Sequence, residues 1–178
     1  PFPGSSLIDY QRRFYGARLD YTLPFTVLAR PHRLLLGVDL DRQNDDRGRR
    51  AVSATGNITA VTADEDQHAS AEGVFLQLDS HLSDHLMFTV GGRADRLRMT
   101  IDDVLLTDGD DSGRREFAQN SYSAGLSWQA TPAHTLYTAI SSAFESPTFT
   151  ELANPSGAGG FNPNLEPQTA LNREVGAR

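Results

Sequence analysis

Apolar residues alternate with polar or small residues in long runs along this chain, and this alternation limits the fold more than any other feature. In the first run Tyr15, Ala17, Leu19, Tyr21 and Leu23 recur at every second position. Successive side chains of a β-strand point to opposite faces, so the pattern predicts strands with one apolar face. Five further runs begin at Leu34, Val74, Leu86, Tyr122 and Leu136.

Strand length favours strands that cross a membrane, and the low mean hydropathy does not exclude it. The apolar stretch at residues 34–38 is far shorter than the roughly 20 residues that a membrane-spanning helix needs. The run from Leu86 to Ile101 suffices for a spanning strand of about 9 to 11 residues. The mean hydropathy of -0.42 agrees with strands that have one polar face. Phe88, Trp128 and Tyr137 lie near short connections, where an interfacial aromatic girdle is expected.

The connections between the runs alternate between short and long. The short ones, rich in turn residues, are Pro24 to His32, Ser83 to His85 and Thr131 to His134. The long ones are polar and lack apolar periodicity, and they are Asn44 to His68, Asp102 to Glu116 and Ser146 to Glu166. Outer-membrane barrels have short periplasmic turns and long extracellular loops. We therefore predict an all-β fold, an antiparallel transmembrane β-barrel.

Composition excludes several functions. The chain has no cysteine, so thiolate metal sites, disulfides and cysteine nucleophiles are absent. Its formal net charge of -7 and its scattered basic residues argue against nucleic acid as a partner. All 16 basic residues other than histidine are arginines. Arginine pairs well with lipid phosphates or an anionic ligand, although a composition bias accounts for the same fact.

The sequence from Leu136 to Leu152, together with Asn162 to Thr169, resembles the barrel of TonB-dependent outer-membrane receptors. The residues that carry the resemblance are Phe144, Pro147, Thr148, Glu151, Leu152, Asn162, Pro163, Leu165 and Pro167. A second similar stretch runs from Gly73 to Arg96. Gly157, Gly159 and Gly160 between the two motif halves permit backbone turns. We interpret the motif as fixing barrel geometry rather than contacting a ligand.

The resemblance implies a receptor for active uptake of a ferric siderophore or a similar metal chelate. It implies a barrel of about 22 strands, closed by an N-terminal plug domain and driven by the TonB complex through a short box. We expect residues 1–178 to be part of that barrel, without the plug domain and the TonB box. The expected partners are the chelate, the TonB complex and outer-membrane lipid, with no cofactor and no catalytic residues.

The predicted long loops supply the candidate ligand-binding residues. Arginine side chains there can pair with the negative charge of a chelate, and aromatic side chains can stack on it. The candidates are Arg47, Arg49, Arg50, Arg114, Arg115, Phe149 and Phe161. A solvated loop without a ligand accounts for the same residues.

Other patterns have weaker interpretations. Residues 108–113 imitate the start of a calcium-binding loop, but Gln119 stands where the bidentate glutamate belongs. His81 and His85 flank a turn without an identifiable third metal ligand. Arg93 and Asp95 share a face and predict a charge network inside the barrel. Two alternatives stay open: another outer-membrane barrel, such as a passive channel or barrel hydrolase, and a soluble all-β binding module.

Overall fold

A computed structural model describes residues 5–152 and 161–178, which form a single antiparallel sheet. Gly157, Gly159 and Gly160 lie outside the described residues. Within the described ranges seven strands and one short helix follow in chain order: β1 (Ser6–Val27), β2 (Arg30–Val52), β3 (Ile58–His81), β4 (Leu86–Asp103), β5 (Gly113–Thr131), β6 (His134–Glu145), α1 (Phe149–Leu152) and β7 (Gln168–Ala177). Each strand pairs with the next along the chain, so β1 and β7 are the open edges of this part of the sheet.

The sheet has a short-turn end and a long-loop end, as the alternating connections predict. Tight turns after β1, β3 and β5 form the short-turn end. In the first of them Leu28 and Ala29 both have positive φ, at 50° and 60°, which suits a two-residue hairpin of the primed type. The long-loop end holds the connections after β2, β4 and β6.

One predicted long loop is wrong. Residues 44–68 are not a loop, because β2 continues to Val52 and β3 begins at Ile58, joined by a turn at residues 53–57. Arg47 and Asn44 pair directly with Glu65 and His68 in the sheet. The strands therefore project well past the apolar part of the sheet. The alternation fades there because neither face of the projecting part has to meet hydrocarbon.

The register aligns the apolar positions of all the strands on one face. Val38 pairs with Leu19 on one side and with Val74 on the other. Most of these side chains are exposed although large and apolar, as lipid-facing residues are. We name this set the apolar belt: Tyr15, Ala17, Leu19, Tyr21, Leu23, Leu34, Leu36, Val38, Leu40, Val74, Leu76, Leu78, Leu86, Phe88, Val90, Tyr122, Ala124, Leu126, Trp128, Leu136 and Ile140. The opposite face is the polar face.

Phe88 and Trp128 fit the predicted girdle, but Tyr137 does not. Phe88 pairs with Leu126 on the belt side, close to the short-turn end. Tyr137 pairs with Ser127 on the polar face, where its hydroxyl donates a hydrogen bond to Glu174 at 2.7 Å. The girdle prediction for Tyr137 is wrong because its position in β6 has the opposite parity to Leu136.

The buried core is small and lies on the polar face, at the long-loop end. Met99 and Ile101 of β4, Phe117 of β5, and Phe149 and Leu152 of α1 form it. Helix α1 thus folds back over the sheet instead of extending into solvent. In the described ranges, no helix has the length and apolar character needed to span a membrane.

Candidate functional site

A cavity of about 490 Å³ opens on the polar face at the long-loop end. Strands β1, β2 and β3 supply its polar wall, and residues 146–150 cover one side of it. We name it the upper cavity, defined by Tyr10, Arg12, Gln43, Arg47, Gln67 and residues 146–150. Ala69, Leu97 and Met99 add apolar surface next to the core. The mixture of apolar surface with a few fixed polar groups is typical of small-molecule sites.

Asp45 fixes one half of the polar wall. Its side chain is 0% exposed. Its carboxylate accepts hydrogen bonds from Arg12 Nε and Nη2 at 2.8 Å each, from the Tyr10 hydroxyl at 2.7 Å and from Gln43 Nε2 at 2.8 Å. A buried carboxylate needs such partners. Arg12 Nη1 makes no hydrogen bond among the described residues, so it is available to a molecule in the cavity.

Glu65 fixes the other half in the same way. One of its oxygens accepts hydrogen bonds from Arg47 Nη1 at 3.0 Å and from Gln67 Nε2 at 2.7 Å. The side chains of Arg47 and Glu65 are both mostly buried. The cavity therefore holds two guanidinium groups whose orientation is set before any ligand arrives, which reduces the ordering cost of binding.

The family motif folds the covering segment onto the sheet. Leu152 is fully buried, and Phe149 lies beside it in the core. The Leu152 carbonyl accepts a hydrogen bond from the Asn162 main-chain N–H at 2.7 Å, which ties the two motif halves together. Leu165 packs against the same core. These contacts give the motif residues a structural role.

Arg115 holds the second motif half in place. Its Nη1 and Nη2 donate hydrogen bonds to the main-chain carbonyls of Pro163 at 2.8 Å and Leu165 at 2.7 Å. Its guanidinium carbon also lies over the Phe117 ring, 5.2 Å from the ring centroid, within the usual range for a cation–π contact. The Arg115 side chain thus stabilises the main chain at Pro163 and Leu165 through hydrogen bonds from strand β5.

Thr148 and Glu151 form a capping box at the start of α1. The Thr148 main-chain N–H and hydroxyl each donate to a Glu151 carboxylate oxygen at 2.8 Å, and the Glu151 N–H donates to the Thr148 hydroxyl at 3.3 Å. The hydrogen bonds from Thr148 favour the charged carboxylate and hold the pKa of Glu151 below its ordinary value of 4.5.

The capping box makes the covering segment sensitive to acid. A carboxyl whose folded pKa is lowered contributes stability above its unfolded pKa and loses it as the pH falls through the folded value. We expect amide exchange at Thr148, corrected for its intrinsic rate, to accelerate as the pH falls below about 4.5. The variant Glu151→Gln keeps a capping-box residue without a titrating group. Equal acid dependence in parent and variant would refute this assignment.

The predicted charge network of Arg93 and Asp95 is present on the polar face. Arg93 Nη2 lies 2.7 Å from Asp95, and the same guanidinium binds Asp39 of β2. Arg18 lies 3.7 Å from Asp39. The guanidiniums of Arg18 and Arg93 both face the ring of Phe75. These contacts neutralise the charges inside the sheet between β1 and β4.

The structure separates the predicted ligand residues by face. Arg47 lines the upper cavity, and Arg49 has the same parity in β2, with a buried Nε that makes no hydrogen bond to the described residues. Arg50 lies on the other face, where it reaches Asp9 at 3.4 Å. Arg114 likewise has the parity of the apolar belt.

The remaining predicted ligand residues lie in or beside the core. Phe149 is buried and also borders the upper cavity, whereas Phe161 packs against the core from the side. Arg115 binds the loop carbonyls. Arg114 and Arg115 belong to strand β5, not to a loop as predicted.

Sequence reasoning missed Tyr10, Arg12, Gln43 and Gln67. Tyr10 and Arg12 have the parity of Arg18 in β1, so extending the first run towards the N-terminus would have placed them on the polar face. Gln67 lies inside the connection predicted at residues 44–68, and Gln43 lies beyond the last alternating residues of its run, so periodicity points to neither. The register that joins them across three strands is a property of the folded sheet.

The two weaker motifs do not assemble a metal site in the described ranges. Hydrogen bonding from the Ser112 side chain, and then from the Ser112 main-chain N–H at 2.9 Å, lowers the pKa of Asp110. Asp103 accepts the Asp111 N–H at 3.0 Å. No group of three or more histidine, aspartate or glutamate side chains within residues 5–152 and 161–178 could hold a metal ion.

An antiparallel sheet with an apolar belt on one face and a charged opposite face is typical of a segment of a transmembrane β-barrel. A family model described as TonB dependent receptor-like, beta-barrel, matches residues 1–178. The chain belongs to that family, whose members are outer-membrane proteins of bacteria. This membership decides against a soluble module. A search of curated protein sequences gives no significant match.

Solved structures of similar fold include a ferric citrate transporter, a siderophore receptor and a copper transporter. The ferric citrate transporter FecA, in the unliganded form, has a TM-score of 0.82 at 14% identity, over 97% of this chain and 26% of its own. The siderophore receptor PiuA from Acinetobacter baumannii has a TM-score of 0.75 at 16% identity, over 96% and 29%. The copper transporter OprC has a TM-score of 0.73 at 18% identity, over 97% and 28%. The chain thus spans between a quarter and a third of these proteins.

Proposed function

We propose that this chain forms part of an outer-membrane receptor that actively imports a ferric siderophore or a similar metal chelate. The upper cavity carries the proposal, because its guanidinium groups are fixed on the polar face at the long-loop end. In an outer-membrane barrel this end faces the outside of the cell. A plug domain and the TonB complex, which the family implies, would supply the closure and the energy.

The donors of the upper cavity suit a ligand with oxygen acceptors and negative charge. Arg12 and Arg47 are each paired with one carboxylate, yet each keeps further N–H groups that no described residue accepts. Guanidinium groups form two parallel bonds with carboxylates. Tyr10 adds an aromatic ring next to Arg12, whose guanidinium lies 5.0 Å from the ring centroid. Anionic iron chelates present this combination of charge and oxygen acceptors.

Uptake by the whole receptor tests the proposed function. The gene would be deleted and restored, and uptake would be measured with a panel of labelled complexes: iron(III) citrate, iron(III) catecholate, iron(III) hydroxamate, a copper(II) chelate and cobalamin. We expect loss of uptake of at least one complex, dependent on the TonB complex. Unchanged uptake of the whole panel would remove the transport proposal and favour a passive channel or a barrel hydrolase.

The upper cavity is tested by Arg12→Gln and Arg47→Gln in the full-length receptor. Each substitution removes charge-assisted hydrogen bonds worth about 1.5–3 kcal/mol, so we expect about a 10- to 150-fold rise in Kd for the transported complex. Isothermal titration of the purified receptor measures it. Arg50→Gln is the matched control, because Arg50 lies at the same end but on the opposite face. Equal effects of all three substitutions would exclude the upper cavity as the binding site.

A further inference from the structure

The main-chain nitrogen of Gly109, in the loop between β4 and β5, makes no hydrogen bond to any residue within 5–152 and 161–178. Gly109 follows Asp108, and both residues are exposed. Gly109 has a φ of 137°, and a Cβ placed on it would have no other atom within 4 Å. The Asp108 carboxylate likewise makes no hydrogen bond or ion pair with the described residues. A carboxyl group and a free main-chain nitrogen are therefore next to each other in an open loop.

Four other aspartates lie in or next to this loop, and each is followed by a main-chain N–H that donates a hydrogen bond. The four N–H groups, each with its acceptor, are Asp103 to Ser112 Oγ at 3.0 Å, Val104 to the Asp64 carbonyl at 2.8 Å, Asp111 to the Asp103 carboxylate at 3.0 Å, and Ser112 to the Asp110 carboxylate at 2.9 Å. All four also carry a Cβ beside the nitrogen, which glycine lacks. The pair of Asp108 and Gly109 differs from them in both respects.

We propose that Asp108 and Gly109 form a self-modification site, at which the aspartate converts to isoaspartate without an enzyme. The Gly109 nitrogen bonds to Cγ of Asp108, and the carboxyl hydroxyl leaves as water with the proton of that nitrogen. The five-membered succinimide ring then adds one water. Cleavage of the new N–Cγ bond restores aspartate, whereas cleavage of the original N–C bond leaves the main chain running through the side chain. Nothing is oxidised or reduced, and the final composition is unchanged.

The hydrogen bonds at Asp110 oppose the same reaction there. Water leaves more readily from a protonated carboxyl than from a carboxylate. Hydrogen bonding from the Ser112 side chain, and then from its main chain, lowers the pKa of Asp110 and so favours the carboxylate. The next nitrogen, that of Asp111, is held by Asp103 and is not free to attack. Asp110 is therefore the internal comparison for Asp108.

Isomerisation would lengthen the loop by one methylene between two tied points. The Asp103 carboxylate accepts the main-chain N–H groups of Leu105 and Asp111 at 3.0 Å each, so both ends of the loop are held at the end of β4. A longer main chain between these points changes the path of the loop, and we expect faster amide exchange at Asp111. Residues 104–112 do not line the upper cavity. The proposal is therefore independent of chelate uptake.

Incubation of the purified full-length receptor in water enriched in heavy oxygen tests this proposal. Peptide mapping with electron-transfer fragmentation distinguishes isoaspartate from aspartate and locates the heavy oxygen that ring opening introduces. We expect isoaspartate and label at Asp108 to exceed those at Asp110 by about tenfold or more, because the nitrogen after Asp110 must first lose its hydrogen bond. Equal isoaspartate at the two positions would overturn the proposal.

Three variants keep the result specific. Asp108→Asn forms the same ring with loss of ammonia, so an unmodified Asp108 in a parent incubated until this variant is converted would also overturn the proposal. Asp108→Glu keeps the charge but needs a larger ring, and we expect it to lose both isomerisation and label. Asp103→Ala removes the acceptor of the Asp111 nitrogen, so isomerisation at Asp110 should rise about fivefold or more. An unchanged rate at Asp110 would show that hydrogen bonding does not select the site.

Discussion

Leu152→Ala is expected to release the covering segment from the sheet. Leu152 is 0% exposed and packs with Met99, Ile101 and Phe117 in a core that includes few other residues. Truncating a buried leucine costs about 2–5 kcal/mol. Because this core holds the loop rather than the whole sheet, we expect the loss to appear as local opening. Amide exchange at Leu152 and Asn162, whose hydrogen bonds depend on this docking, should accelerate about 30-fold or more.

Leu106→Ala is the matched control for this prediction. It removes the same atoms from a side chain that is 64% exposed, in the loop between β4 and β5. Its effect should stay within about 0.5 kcal/mol, as for other surface substitutions. Hydrogen exchange by mass spectrometry on the receptor in detergent compares both variants with the parent. If exchange in residues 146–152 is unchanged in Leu152→Ala, the core does not hold the segment.

Release of the covering segment should also weaken ligand binding. Residues 146–150 form one side of the upper cavity, so a receptor in which they are detached must reorder them when the chelate binds. The apparent Kd rises in inverse proportion to the fraction of molecules in which the segment is docked. We therefore expect the docking of the family motif on the sheet to affect affinity.

The alternation predicts the strands and their faces because hydrocarbon imposes a chemical contrast at every second position. The same contrast is missing beyond Leu40, because both faces of β2 carry polar side chains there, with Arg42 on one face and Asp45 on the other. Periodicity therefore does not predict the parts of β2 and β3 that lie within residues 44–68. The end of β2 stays in the sheet because it pairs with β1 on one side and with β3 on the other, and this pairing does not depend on an alternating sequence pattern.

The upper cavity could be predicted only in part for a related reason. The sequence predicts Arg47 as a loop cation, whereas its position in the cavity depends on its ion pair with Glu65, 18 positions away in the sequence. Arg12 and Asp45 are 33 positions apart. No local pattern encodes such pairs, because they depend on the register between neighbouring strands. The resemblance to the family can be read from Leu136 to Leu152 and from Asn162 to Thr169, because it rests on the order of residue types and not on the register between strands.

Asp45→Asn is expected to disrupt the upper cavity more than any other single substitution in its wall. The side chain is 0% exposed, and its carboxylate accepts from Tyr10, Arg12 and Gln43. An amide cannot match these donors, since its NH₂ group would face one of them. Removing one partner of a buried ion pair costs about 3–5 kcal/mol. We expect a lower melting temperature in detergent and a weaker affinity for the transported chelate.

Asp46→Asn separates this effect from a general change in charge. Asp46 is the next residue in β2 and is exposed on the opposite face, so the substitution should change stability by less than about 0.5 kcal/mol. A double-mutant cycle of Asp45→Asn with Arg12→Gln then measures their coupling, because the two substitutions should cost much less together than their separate effects predict. Additive losses would show that Asp45 does not position Arg12, and the pre-formed wall of the cavity would lose its physical basis.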